Sequence, residues 1–149
     1  MEVAARPKKE EEMRKLQLNS FGVKRYTTVP SVLLMELYQT GVTREEMLVL
    51  IYLFDKCWGN KTVCHPSVGK MAQKLGYKID PSGKCTSVKR LLKSLQKKGY
   101  VEIEKRGIRK SNQYDLAPCL TKCGIIEKRM DEKLRADAEA LKQDVLHDI

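Results

Sequence analysis

Apolar side chains recur along the chain at two spacings, and each spacing marks a kind of element. In "SVKRLLKSLQKKGY", Val88, Leu91, Leu92 and Leu95 fall at i, i+3, i+4 and i+7, which predicts a helix over 87–98 with one apolar stripe. Gly99 is its expected stop, because a residue without a Cβ takes the left-handed conformation past a helix end at little cost. A second stripe, Val68, Met71, Ala72 and Leu75, has Ser67 ahead of it as a candidate N-cap and Gly76 behind it. Further upstream, "MLVLIYLFDKCW" is apolar on nearly every face and is expected to be the central buried helix. Thr43 and Glu46 form a capping-box pattern at its start, and Gly59 is its expected close.

After Gly99 the period drops to two. Val101 and Ile103 alternate with Glu102 and Glu104, then "QYDL" returns with Tyr114 and Leu116 on one face, predicting a hairpin whose polar, basic tip is "GIRKSN". "KTVC" can supply another short strand, and the Asp-Pro-Ser-Gly of "YKIDPSGKC" marks a turn ahead of the basic helix. "FGVKRYTTVP" reads as extended up to Pro30, after which Ser31 is a candidate cap for a short helix, "SVLLMELYQT", stopped by Gly41. Residues 1–20 mix charges around three apolar anchors (Met13, Leu16, Leu18) and read as a flexible arm able to form helix on contact. From Leu120 onward Ile126, Met130, Leu134, Leu141 and Val145 outline one long amphipathic helix, with a break expected at Gly124. The expected organisation is thus an arm over 1–20, a domain over 21–118 and a C-terminal amphipathic helix over 119–149.

Charge changes this picture more than length does. The 149 residues suit one ordinary domain with tails, and no apolar run approaches the length of a membrane-spanning helix. The charged N-terminus carries no secretory h-region, so a cytoplasmic protein is expected, with its five cysteines as reduced thiols rather than a disulfide framework. Of the 29 basic and 19 acidic residues, 14 basic and only 4 acidic lie in 61–120, so this block alone accounts for the net +10. A field of one sign over one part of a chain is the footprint of a polyanion-binding surface.

A buried helix, a second helix, a basic third helix and a hairpin with a basic tip is the order of a winged helix-turn-helix. The expected fold is therefore mainly α with a small β-hairpin and a long C-terminal helix. In such a domain the third helix enters the DNA major groove and the hairpin tip lies on the backbone or minor groove. The runs "HPSVGKMAQKLG", "TSVKRLLKSLQKKGYVEI" and "SNQYDLAP" also resemble the winged-helix domains of phage and plasmid replication initiators. There a Pro-Ser-x-x-x-x-Ala helix, a Ser/Thr-Val-x-Arg helix and an Asn-x-Tyr-x-Leu strand recur in that order, and the lead-in "YTTVPSVLLMEL" is similar too. The resemblance covers roughly 26–118, and the long turn from Tyr77 to Gly83 departs from the pattern. It implies recognition through Thr86, Ser87, Lys89, Arg90 and Lys93, with Arg106, Arg109, Lys110, Ser111 and Asn112 as the wing. Arg90 is the best candidate for a base contact, since its fork can bond guanine twice. Lys97 and Lys98 either extend this surface or serve the negative end of the helix dipole.

The implied function is site-specific binding of double-stranded DNA, as a replication initiator or as a transcription regulator with the same reader. A reading of another class is a protein-interaction module in an assembly, which has less need of so concentrated a charge. The C-terminal helix shows about two clean heptads (Leu134, Ala138, Leu141, Val145) and serves either a homodimer or docking on its own domain. No cofactor is implied. "PSGKCTSVKRLL" imitates a phosphate-binding loop, but Lys78 and Cys85 stand where that motif needs Gly and Ser or Thr. Cys64, His65, Cys119 and Cys123 offer metal-binding atoms without the two close ligand pairs of a structural zinc site, and His147 reads as a solvated tail residue. No catalytic constellation is apparent, so an enzyme is not expected.

Overall fold

The computed structural model describes residues 8–57, 61–82 and 84–147. These residues are mainly helical, with one small three-stranded antiparallel sheet and a long C-terminal helix. No helix among them is long and apolar enough to cross a membrane. Thr27–Cys123 forms one compact unit, and the segments on either side of it are grouped as a second. The boundary after the hairpin therefore falls at Cys123, about a turn beyond the position expected from the sequence, because Cys119 and Cys123 are buried in the first unit.

The outer segments are simple. Helix α1 (Lys8–Ser20) replaces the expected flexible arm over the described part of residues 1–20. It is rich in Lys, Glu, Met and Leu, all good helix formers, and Glu10 and Glu11 in its first turn suit the helix dipole. None of its side chains is buried. Residues 23–30 form no strand. At the other end of the chain the C-terminal helix runs unbroken through Gly124, where a break was expected. One glycine costs only about 1 kcal/mol relative to alanine in a helix interior, too little to interrupt so many helix formers on both sides.

Within Thr27–Cys123, the single helix expected after Pro30 divides into α2 (Val32–Met35) and α3 (Leu37–Thr40). The chain leaves helical geometry at Glu36 (φ −120°, ψ 36°), and Ser31 is itself helical, with no side-chain capping bond. The turn starts a residue early, with the Pro30 carbonyl accepting from the Leu33 N–H, so the cap expected at Ser31 is not used. Helix α4 (Arg44–Lys56) does start as its capping box predicts: the Thr43 hydroxyl accepts from the Glu46 N–H, and the Glu46 carboxylate accepts from the Thr43 N–H. It buries Met47, Val49, Leu50 and Leu53 on one face and leaves Leu48 half exposed, so it is not buried all round. The helix ends at Lys56, and Gly59 lies outside the described residues.

Strand β1 (Val63–Cys64) leads to helix α5 (Val68–Lys74), whose first turn is capped by Ser67 as expected, its hydroxyl accepting from the Lys70 N–H. Helix α6 (Thr86–Lys97) packs against both α4 and α5. Strands β2 (Glu102–Glu104) and β3 (Gln113–Asp115) form the expected hairpin. The hairpin is not alone: β1 pairs with β3 on its other side, giving the order β1-β3-β2. Tyr114 in the middle strand faces Cys64 on one neighbour and Ile103 on the other, and is buried. Helix α7 (Ala117–His147) begins at once, with the Asp115 carboxylate accepting from the Ala117 N–H. Leu33, Leu50, Leu53, Met71, Val88, Leu95, Tyr114 and Leu116 form the fully buried core; each aliphatic side chain among them contributes about 1.5–3 kcal/mol of burial.

Candidate nucleic-acid interface

Helix α6 is held at both ends by bonds to other elements or to its own approach. Ahead of it, the Asp80 carboxylate accepts from the Ser82 N–H (3.1 Å), the Ser82 hydroxyl (2.6 Å) and the Lys84 N–H (2.8 Å), while the Asp80 N–H donates to the Lys84 carbonyl. The Ser82 hydroxyl and the Lys84 N–H hold the Asp80 pKa below the usual carboxylate range. The turn expected here is seen in its described residues Asp80 to Ser82, and the chain reaches a buried Cys85 as the N-cap residue. Cys85 gives no side-chain capping bond, and the first turn of α6 contains no acidic residue. The carboxylate described at this end is that of Asp80, bonded to the Lys84 N–H just ahead of the N-cap, and α6 contributes none of its own to its first turn.

At the far end Gly99 has φ +81° and Tyr100 is buried, its hydroxyl donating to the Thr40 carbonyl at 2.6 Å. Lys98 turns inward. Its ammonium donates to the Gly41 carbonyl (2.8 Å) and to the Glu46 carboxylate (2.5 Å), which is only 1% exposed. Burial alone would raise the Glu46 pKa, but the bonds from Lys98 and the Thr43 N–H outweigh it and hold the carboxyl below its ordinary value. Of the two lysines with alternative readings, Lys98 is thus a structural cation joining α6 to α4, while Lys97 remains exposed.

Between these ends the stripe and the basic face separate. Val88, Leu92 and Leu95 are buried, and Leu91 is partly so. Thr86, Ser87, Lys89, Arg90, Lys93 and Lys97 are all exposed. Among the described residues Lys89, Arg90, Lys93 and Lys97 make no ion pair.

The loop joining β2 and β3 is stiffened from within. The Arg106 Nε donates to the Ser111 carbonyl at 2.8 Å, closing the base of the loop, and Gly107 takes φ +124°. Arg109 is the one non-glycine residue with positive φ (66°) among those described, an uncommon conformation that a tight turn imposes. Arg106, Arg109 and Lys110 are exposed, whereas Ser111 and Asn112 are half-buried and offer less surface than the sequence implied. Ile108, which no sequence signal singled out, stands 93% exposed at the tip. Lys70, Lys74, Lys84 and Lys105 are exposed too and were not named individually, though the charge count over 61–120 included them.

The metal-binding atoms noted in the sequence are dispersed. Cys64 is buried on β1 with its thiol near the Leu53 carbonyl, whereas His65 is exposed beside the Gln113 side chain at 3.2 Å. Cys119 and Cys123 lie one turn apart on α7. No group of three His, Cys, Asp or Glu side chains comes together among the described residues. None of the five cysteines is in a disulfide. Burial, with the neighbouring Cys57 thiol, pushes the Cys64 pKa well up, and a bond to Cys123 together with burial does the same for Cys119. A thiol held protonated is a poor nucleophile and a poor metal ligand. The side chain of His147 lies outside the description, as does Gly83 of the loop that imitates a phosphate-binding motif.

No family model matches the chain and no curated protein matches it significantly, so the reading of this surface rests on its own residues.

Proposed function

We propose that the chain is a site-specific double-stranded DNA-binding protein of winged helix-turn-helix organisation, in which α6 lies in the major groove and the β2–β3 loop lies on the backbone. The observation that carries this reading is the division of α6. Its apolar stripe is anchored in the core, and four basic side chains are left in solvent without acidic partners among the described residues. An ordinary solvated helix face mixes both signs, whereas α6 contains no acidic residue at all. The exposed Arg109 and Lys110 of the loop add to the same field. In this arrangement Arg90 reads base edges and Lys89, Lys93, Lys97 and Lys110 hold phosphates. The role as a phage or plasmid type of replication initiator follows from the sequence resemblance. A transcription regulator would use the same surface.

Titration of duplex binding against salt tests the reading. A polyanion footprint of this size predicts a log–log slope of roughly −4 to −8, and a slope near zero overturns it. Arg90→Ala is expected to weaken a preferred duplex by about 1–3 kcal/mol and to relax selectivity at one or two base positions, while Lys110→Ala weakens all sequences alike. An unchanged preference profile for Arg90→Ala would remove α6 as the reading helix. Selection of bound duplexes from a random pool separates the roles: repeated sites at an origin indicate initiation, and a promoter operator indicates regulation.

A further inference from the structure

Beyond Gly124, α7 keeps an apolar stripe that stands largely in solvent among the described residues. Leu134 is 47%, Leu141 66% and Val145 62% exposed, with Ala138 partly exposed between them. In a heptad register Asp131, Ala138 and Val145 take the a positions and Leu134 and Leu141 the d positions. The residues flanking this seam are sorted by sign. Over 131–145 Arg135 and Lys142 fall at e and Asp137 and Asp144 at g, while Met130 just ahead is an apolar g residue.

We infer that this part of α7 pairs with the same helix of a second copy of the chain, parallel and in register. In a parallel pair each g residue faces the e residue of the partner's next heptad, so Asp137 meets Lys142 of the second copy, and symmetry makes the contact twice. An antiparallel pair sets g against g and e against e, which would gather the aspartates on one side and the basic residues on the other. The two edges of the stripe therefore complement each other only under a two-fold axis running along the helices, and a second copy supplies that arrangement by construction. Net charge does not oppose it, since residues 121–149 carry 6 basic and 7 acidic groups. Asp131 and Ala138 at successive a positions weaken the seam, so a reversible dimer is expected rather than a permanent one. The pairing does not depend on the DNA reading. Combined with it, two-fold symmetry calls for inverted half-sites about one DNA turn apart, roughly 34 Å.

Sedimentation of the full chain over a range of concentrations tests the inference. A concentration-dependent equilibrium between 17.1 kDa and twice that mass is expected. Replacing Leu141 and Val145 together by Glu should abolish the dimer while leaving the thermal unfolding of the dilute monomer unchanged, because both side chains are largely in solvent. Asp137→Lys or Lys142→Asp alone should weaken dimerisation roughly tenfold by setting like charges together twice, and the two combined should restore it. Three results would overturn the inference: a chain that remains monomeric to about 100 µM, a dimer that survives the double Glu substitution, or a dimer that Asp137→Lys strengthens, which would mean antiparallel pairing.

Discussion

Helix α6 and the distal half of α7 carry the same kind of pattern and meet opposite fates. Both space their aliphatic residues at helical intervals and both carry many charges. Yet Val88, Leu92 and Leu95 of α6 are buried, while Leu134, Leu141 and Val145 of α7 stand in solvent. The difference is in what surrounds them. Helix α6 lies against α4 and α5 and is tied to α4 through Lys98 and Glu46. Their charges differ as well. Those of α6 are all basic, whereas acidic and basic groups alternate along α7 and nearly cancel. A periodic stripe states that a helix has a side to bury. What buries it is decided elsewhere, within the same fold for α6 and, by our inference, in a second molecule for α7.

Substitution of matched leucines puts that contrast to its strongest test. Leu95→Ala removes a fully buried side chain and should cost about 2–5 kcal/mol in denaturant unfolding, whereas Leu141→Ala should change the stability of the dilute monomer by less than about 0.5 kcal/mol. Equal costs would mean that the two stripes are equally buried and would erase the distinction.

Next in size is the stop of α6. Gly99 has φ +81°, and a Cβ there would come within 2.9 Å of the Lys122 side chain. Gly99→Ala should therefore destabilise by about 1–2 kcal/mol, mostly through the left-handed backbone, because the flexible Lys122 stem can move aside. Preserved stability would show that the end of α6 can rearrange without cost.

The tie between α6 and α4 should be worth about 1 kcal/mol, since Lys98 is partly solvated, and it has a pH signature. The folded-state pKa of Glu46 lies below its unfolded value, so the contribution is complete above the ordinary carboxylate range and is lost as pH falls through the lower folded value. Glu46→Gln should accordingly be less stable than the parent at pH 7, with the gap closing as the pH falls below the ordinary carboxylate range. A gap independent of pH would mean that the carboxylate charge contributes nothing.

The smallest effect belongs to α7. Gly124 is helical, and a Cβ there would meet nothing within 4 Å. Gly124→Ala should stabilise the helix by about 0.5–1 kcal/mol, opposite in sign to the change at Gly99, as read by thermal unfolding and helical circular dichroism.

Much of the fold was legible because its punctuation is local. The Thr43–Glu46 capping box, the Ser67 cap, the Asp80 turn and the left-handed glycines 41, 76 and 99 each act over a few residues, and each appears where its signal stands. The candidate surface was legible for a related reason: α6 shows its buried and solvent faces through spacing alone. What the spacing did not reveal needed a third dimension. The divided helix at Glu36, the exposed Leu48 and the exposed Ile108 depend on which neighbours are present.

The amino-acid sequence by itself determined the starts of α4 and α5, the stops of α3, α5 and α6, the hairpin and the concentration of positive charge over 61–120, because these depend on propensity, capping and side-chain composition within short windows. Only the tertiary structure decided that β1 joins β3 across some fifty residues of chain, that Lys98 serves Glu46 rather than the solvent face, and that the first turns of α7 with Cys119 and Cys123 belong to the core. Each of these joins groups far apart along the chain. A backbone pairing, a buried ion pair or a shared apolar contact leaves no periodic trace in either partner's own sequence, since its energy arises only when folding brings the two together.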